Sequence, residues 1–191
     1  MKKSKVVIIF GPPGVGKGTQ AELLSANLGY AHLSTGAVLR DEMARETDLG
    51  KRLIEIGVPQ GNYAPDDMMI ELVEGYLDRN TKSGVILDGF PRTMPQARKL
   101  ADFFNTSEKY DVEVVSLAAD GSELVKRLLL RAQVQKRADD TEEVIKRRLE
   151  IYQTQTTPLL DFYKGLYKFE EVNGIGKIED IQEEILSRLS K

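Results

Sequence analysis

Between an apolar run, KVVIIF (residues 5–10), and a helix-like stretch, QAELLSANLG (residues 20–29), lies the segment GPPGVGKGT. Gly11, Gly16 and Lys17 occupy the fixed places of the phosphate-loop pattern G-x-x-x-x-G-K-[ST]. The chemistry such a loop can do is anion capture. Glycines let successive backbone N–H groups turn inward on phosphate oxygens, and Lys17 adds a point charge near the terminal phosphates. The helix beginning near Gly18 aims its positive dipole end at the same anion. The residue after Lys17 is Gly18, and the hydroxyl arrives one place late, at Thr19. A magnesium ion is therefore expected to be held through water, with Thr19 and Asp88 as outer partners.

A second chemical signal is a basic cluster in an acidic chain. The protein has 191 residues with 27 Lys+Arg against 30 Asp+Glu, a net charge of −3. Yet between Lys126 and Arg148 stand Lys126, Arg127, Arg131, Lys136, Arg137, Lys146, Arg147 and Arg148, against Asp139, Asp140, Glu142 and Glu143. The overall balance argues against a nucleic-acid binder, which carries a basic excess over the domain. Lys126, Lys146 and Arg147 are expected to be solvated helix faces. No cysteine is present, which excludes thiolate zinc sites and cysteine nucleophiles. With one histidine, His32, read as a satisfied structural residue, proton-transfer chemistry is not the theme. The apolar run near the start is stopped by Gly11-Pro12-Pro13, too short for a signal core. The expectation is a cytoplasmic protein without a membrane or nucleic-acid partner, a monomer or otherwise a small homo-oligomer.

The elements that must position these residues alternate. KVVIIF, AHL, GVILD, DVEVVSLAA and KFEEV read as strands, the β-branched runs as strands buried on both faces. Between them come helical stretches: QAELLSANLG, TGAVLRDEMARE behind a Ser34 cap, residues from about Met68 to Leu77, and TEEVIKRRLEIYQTQ behind a capping box of Asp140 and Glu143. Pro158 should kink or restart the last of these. IEDIQEEILSRL closes the chain with Ile178, Ile181, Ile185 and Leu189 on one stripe. Alternating strand and helix predicts one α/β domain over residues 1–191, a phosphate-loop NTPase-type α/β/α sandwich around a five-stranded parallel sheet.

GPPGVGKGTQ, STGAVLR, DGFPRTMPQA and RADDTEEVIKRRLEIYQTQTTPL, in that order, resemble the adenylate kinase family from the first strand to the last helix. The resemblance implies reversible phosphoryl transfer from MgATP to AMP, giving two ADP. It implies that Gly14, Val15, Gly16, Lys17, Gly18, Thr19, Arg127, Arg131 and Gly176 meet ATP, with Arg127 against the adenine. On the acceptor side it implies Thr35, Gly36, Arg40, Asn62, Tyr63, Ala64, Gly89, Arg92, Gln96, Arg137 and Arg148. Arg40 and Arg92 would hold the AMP phosphate, and Gln96 would read the adenine edge. Lys17, Arg92, Arg131, Arg137 and Arg148 would be the catalytic charges. Three departures stand out: Ala37 where the family usually has Asp, GNYAP where it has G-x-L-V-P, and Lys136 before Arg137.

The resemblance further implies a helical AMP-binding segment over residues 34–63 and a short lid loop over 132–138. Only AQVQK separates Arg131 from Arg137, so no folded lid domain fits there and no zinc is expected. ATP and AMP bring about six negative charges, which Mg²⁺, Lys17 and arginines 40, 92, 131, 137 and 148 answer with about eight. The rival reading is a UMP/CMP-type nucleoside monophosphate kinase, which Thr35 and Gln96 disfavour. A GTPase is disfavoured by the lack of a guanine-reading N-K-x-D.

Overall fold

The computed structural model describes residues 3–80, 83–134 and 141–189. Five parallel strands form one sheet in the order β2-β3-β1-β4-β5. They are β1 (Ser4–Phe10), β2 (Ala31–Ser34), β3 (Val85–Asp88), β4 (Tyr110–Ala118) and β5 (Lys168–Asn173). The alternation of β1 divides its side chains between two cores. Val6, Ile8 and Phe10 join one apolar cluster, while Val7 and Ile9 join the other beneath α1 (Lys17–Leu28) and α9 (Ile178–Arg188). Burial on both faces is what the unbroken β-branched run encodes.

β1 is central, pairing with β3 on one side and β4 on the other. The chain runs from β1 outward to β2, returns through β3, and then crosses to β4. The connections leaving β1 and β3 therefore depart in opposite directions, which opens a crevice at the carboxyl ends of these strands. The register places Asp88, the last residue of β3, opposite Ile9. Asp88 is thereby set beside the loop that leaves β1.

The remaining helices are α2 (Thr35–Ala44), α3 (Asp48–Ile56), α4 (Asp66–Arg79), α5 (Met94–Ser107), α6 (Gly121–Val134), α7 (Glu142–Ile151) and α8 (Thr157–Lys164). The sequence reading leaves α3 unassigned, because Gly50 in its first turn weakens the helix signal. The structure gives the reason for that glycine: a Cβ there would lie 2.0 Å from the backbone oxygen of Glu42 in α2. Glycine is the residue that lets α2 and α3 touch backbone to backbone. Thr47 caps α3, accepting from the Gly50 N–H at 3.0 Å.

Two capping expectations are corrected. Thr141, not Asp140, caps α7, its hydroxyl accepting from the Val144 N–H at 3.3 Å; Asp140 lies outside the described residues. Ser34 is the N-cap residue of α2 but makes no side-chain cap bond. Its hydroxyl instead donates to Asp88 Oδ2 at 3.2 Å. α7 widens into a π-helical segment, Tyr152–Thr156, before α8 restarts with Pro158 in its first turn. Proline lacks the N–H that a continuous helix would need there, so the offset falls just before it. Thr156 ends that segment buried. Among the described residues no helix is long and apolar enough to cross a membrane.

Candidate active site

A cavity of about 790 Å³ opens along the carboxyl ends of β1 and β3. The loop leaving β1 forms its floor. Gly16 is the N-cap of α1 at φ +104, a conformation that strains any residue with a side chain. Gly14 is required for space as well, since a Cβ there would meet Leu128 Cγ of α6 at 2.7 Å. Val15 is buried, whereas Thr19 is exposed at the cavity rim. Lys17 curls back over the loop and donates to the carbonyls of Gly11 at 2.6 Å and Pro12 at 2.9 Å. Burial pushes its ammonium down to about 8; Asp88 pulls the other way, and the positive charges of Arg92 and Arg131 add to the depression. Lys17, Asp88, Arg92 and Arg131 all line the one cavity.

Asp88 is largely buried at the end of β3 and faces Gly18, whose added Cβ would sit 3.6 Å from Asp88 Oδ2. His32 was expected to be satisfied. Its buried Nε2 instead has no hydrogen-bond partner among the described residues and stands 4.0 Å from Asp88 Oδ2. Thr35 is buried, and its hydroxyl donates to the carbonyls of Asp88 and Gly89 at 3.2 and 3.0 Å. The hydroxyl thus fastens the start of α2 to the end of β3.

Across the cavity two guanidinium groups flank one point. A Cβ on Gly36 would lie 3.2 Å from Arg40 Nη1 and 3.9 Å from Arg92 Nη2, and one on Gly89 would lie 2.9 Å from Arg92 Nη2. Glycines at 36 and 89 keep that space open. Arg92 is held from several sides. Its Nε donates to the Gly89 carbonyl at 2.7 Å, its Cζ lies 5.2 Å from the centre of the Tyr63 ring, and its own carbonyl accepts from Thr156 Oγ1 at 2.8 Å. Because Thr156 spends its only hydroxyl proton on Arg92, the 3.0 Å contact between Tyr63 and Thr156 must have Tyr63 as donor. Just before Arg92 in the chain, the Phe90–Pro91 bond is cis.

Gln96 lines the cavity at only 2% exposure. Its Oε1 accepts from the Arg92 N–H at 2.8 Å and its Nε2 donates to Asp66 Oδ1 at 2.8 Å. Asn62 and Ala64 also reach the wall, but the Asn62 amide is engaged in its loop, donating to the Ile56 carbonyl at 2.8 Å and accepting from Arg147 at 2.5 Å. Arg147, expected as a solvated residue, thus ties α7 to the Asn62 turn. Lys146 does pair on its own helix, with Glu142 at 2.7 Å.

At the other end of the cavity Arg127 donates to the Gly174 carbonyl at 3.0 Å and pairs with Glu123 at 3.1 Å. Gly174 lies against Val15 of the phosphate loop, and Gly176 follows on the cavity wall. Arg131 and Arg148 line the cavity too. Residues 135–138 of the expected lid, Arg137 among them, lie outside the described residues. The sequence reading gave no role to Thr156, Tyr152 or Asp66. Burial and the nearby Tyr63 push the Tyr152 phenol above its ordinary range. For Thr156 the signal was available: a hydroxyl residue followed by Thr157-Pro158, where a helix must be re-formed.

Comparison with known proteins agrees with this geometry. The adenylate kinase family model matches residues 9–168. The chain is 46% identical over 177 residues to an adenylate kinase of Parabacteroides distasonis, covering 92% of each. It is 43% identical over 180 residues to one of Bacteroides fragilis, covering 94% of this chain and 95% of that one. To one of Thermus thermophilus it is 40% identical over 189 residues, covering 99% of each. A phosphate loop facing an arginine pair across one cavity, and matches that span nearly the whole chain, lead to one conclusion: the chain belongs to the adenylate kinase family.

Proposed function

We propose that the protein catalyses reversible, magnesium-dependent transfer of the γ-phosphoryl group of ATP to AMP, giving two ADP. The observation that carries this is the arrangement of one cavity with two anion sites. The loop with Lys17 puts cationic and N–H groups at one place in it and Arg40 with Arg92 around Gly36 at another, which supports reading them as the two phosphate sites. Arg131 and Arg148 line the same cavity. The donor nucleotide lies along residues 14–19, with its base toward Arg127 and Gly176. The acceptor lies within the segment 34–63, with its phosphate on Arg40 and Arg92 and its base toward Tyr63, Ala64 and Gln96.

Phosphoryl transfer of this kind needs alignment and charge neutralisation more than proton removal. The attacking phosphate oxygen is already anionic, so no general base is needed. Arginine suits the work because its planar fork grips phosphate bidentately and stays charged. Lys17 exchanges its bonds to Gly11 and Pro12 for phosphate oxygens. Arg131, Arg137 and Arg148 spread positive charge over the transferring group.

Among the described residues no group of three or more His, Cys, Asp or Glu side chains converges as a ligand set. Asp88 fits magnesium nonetheless: its carboxylate faces Gly18 beside the loop, with the Ser34 hydroxyl on one oxygen. Asp88 would hold the ion through water, and the ion would supply charge neutralisation on the donor. Thr19 stands at the rim as a further outer partner.

The test is initial ADP formation with MgATP and, separately, AMP, CMP, UMP, GMP and no acceptor. A rate with AMP far above the rest is expected. A preference for CMP or UMP would keep the fold and overturn the acceptor, leaving the UMP/CMP-type reading.

A further inference from the structure

We propose that Asp66 is a specificity-determining positioning residue: it fixes the polarity of the Gln96 amide and so makes the acceptor site select adenine over bases of reversed polarity. The proposal rests on the acceptor reading above and adds to it a residue that no motif singles out.

A glutamine amide is an ambivalent reader. Its carbonyl and amino ends are nearly the same size, its terminal torsion is broad, and a half-turn exchanges acceptor for donor. The adenine edge presents an amino donor at C6 and an acceptor at N1. Hypoxanthine presents the reverse at the same two places, an acceptor at C6 and a donor N1–H. A free glutamine could turn to match either.

In this structure it is not free. The Arg92 N–H, which can only donate, points at Gln96 Oε1 at 2.8 Å. The Asp66 carboxylate, which can only accept, takes the Gln96 Nε2–H at 2.8 Å. The same Asp66 oxygen accepts from the Thr93 hydroxyl at 2.8 Å, and Thr93 in turn caps α5 by accepting from the Gln96 N–H at 3.4 Å. Neither partner tolerates the turned amide. The turned form would set Nε2–H against a peptide N–H and a carbonyl oxygen against a carboxylate. What remains of the amide, one N–H and one lone pair, belongs to a side chain 2% exposed on the cavity wall. A base entering the cavity meets a donor and an acceptor in fixed order.

The measurement is kcat/KM for AMP and for IMP, which reverses the polarity of that edge without adding a group, at saturating ATP. Asp66→Ala removes the acceptor and lets the amide turn. The AMP-to-IMP ratio should fall roughly three- to tenfold, the worth of one hydrogen bond, through the acceptor KM and with the KM for ATP unchanged. Asp66→Asn keeps an oxygen at the Oδ1 place, held there by the Thr93 hydroxyl that donates to it, and should restore most of the ratio. Asp66→Ser, which can accept or donate, should relax the ratio as alanine does and serves if the alanine variant does not fold. A well-folded Asp66→Ala or Asp66→Ser protein with the wild-type ratio overturns the proposal. So does an Asp66→Asn protein as relaxed as Asp66→Ala, because charge rather than hydrogen-bond polarity would then be at work. Gln96→Leu separates the two levels. If it leaves the ratio untouched, the acceptor reading of Gln96 itself fails. If it collapses the ratio while Asp66→Ala and Asp66→Ser do not, only the Asp66 role fails.

Discussion

Replacing the phosphate-loop lysine should make the nucleotide-free protein more stable while abolishing turnover. Lys17 is an ammonium pushed from 10.5 down to about 8 by burial, with Arg92 and Arg131 adding to the shift. At pH 7 that depression corresponds to roughly 3 kcal/mol of unfavourable free energy in the folded state. Lys17→Met removes the charge but also the donations to the Gly11 and Pro12 carbonyls, which contribute about 1 kcal/mol each. Net stabilisation of about 1–2 kcal/mol follows, or roughly 2–8 °C in Tm for a chain of this size. The pH dependence identifies the cause. Below pH 8 the lysine is protonated in both states and the full penalty acts. Between 8 and 10.5 the unfolded chain binds the extra proton, so wild-type stability rises relative to Lys17→Met as pH rises. Thermal melts without nucleotide at pH 7 and at pH 10 should show the variant's advantage shrinking. A variant that melts below wild type at pH 7, or an advantage independent of pH, refutes the reasoning. ADP formation should fall by orders of magnitude in either case, and near-normal turnover would remove Lys17 from the phosphate site.

Other perturbations probe the supports of the site. Tyr63→Phe keeps the ring under Arg92 but loses the bond to Thr156, and Tyr63→Leu loses both; the KM for AMP should rise a few-fold in the first and further in the second, since a cation–π contact contributes about 0.5–1 kcal/mol. Equal KM values for the two variants would mean the ring contact does nothing. Gly50→Ala should destabilise by more than about 3 kcal/mol, because its Cβ meets the Glu42 backbone oxygen rather than a yielding side chain; an unchanged melting temperature would show that α2 and α3 separate freely. Chelators that bind zinc and spare magnesium should leave both activity and melting temperature unchanged, and a large loss of either would reveal a structural metal.

The sheet was legible because burial writes itself into strand composition. VVII and VIL admit few other readings, and the phosphate loop follows from one glycine-rich turn between strand and helix. Strand order was not legible, because it depends on which crossover the chain takes rather than on any residue. α3 stayed hidden because the glycine that permits its close packing also dilutes its helix signal. In the site, residue types pointed to anion binding, but side-chain direction did not follow from type. Gln96 could be anticipated as a reader, yet its engagement by Asp66 and the Arg92 N–H is a tertiary fact between α4 and the start of α5. Arg147 looked like solvated surface because its partner, Asn62, lies in a distant loop.

The basic cluster in an acidic chain has a physical consequence beyond binding. The charges of Arg92 and Arg131 lower the proton affinity of Lys17, against the opposing charge of Asp88. The cavity thus holds like charges whose repulsion the fold must withstand, and anionic nucleotide relieves it on arrival. Binding and stability are then two readings of one interaction. The residues that most depress apo stability should be those whose removal most reduces the stabilisation gained from nucleotide, since a ligand stabilises only through its preference for the folded state. Lys17→Met should accordingly melt higher than wild type alone and gain less from saturating ATP. If both proteins gained equally from ATP, the strain at Lys17 and the affinity for phosphate would have separate origins.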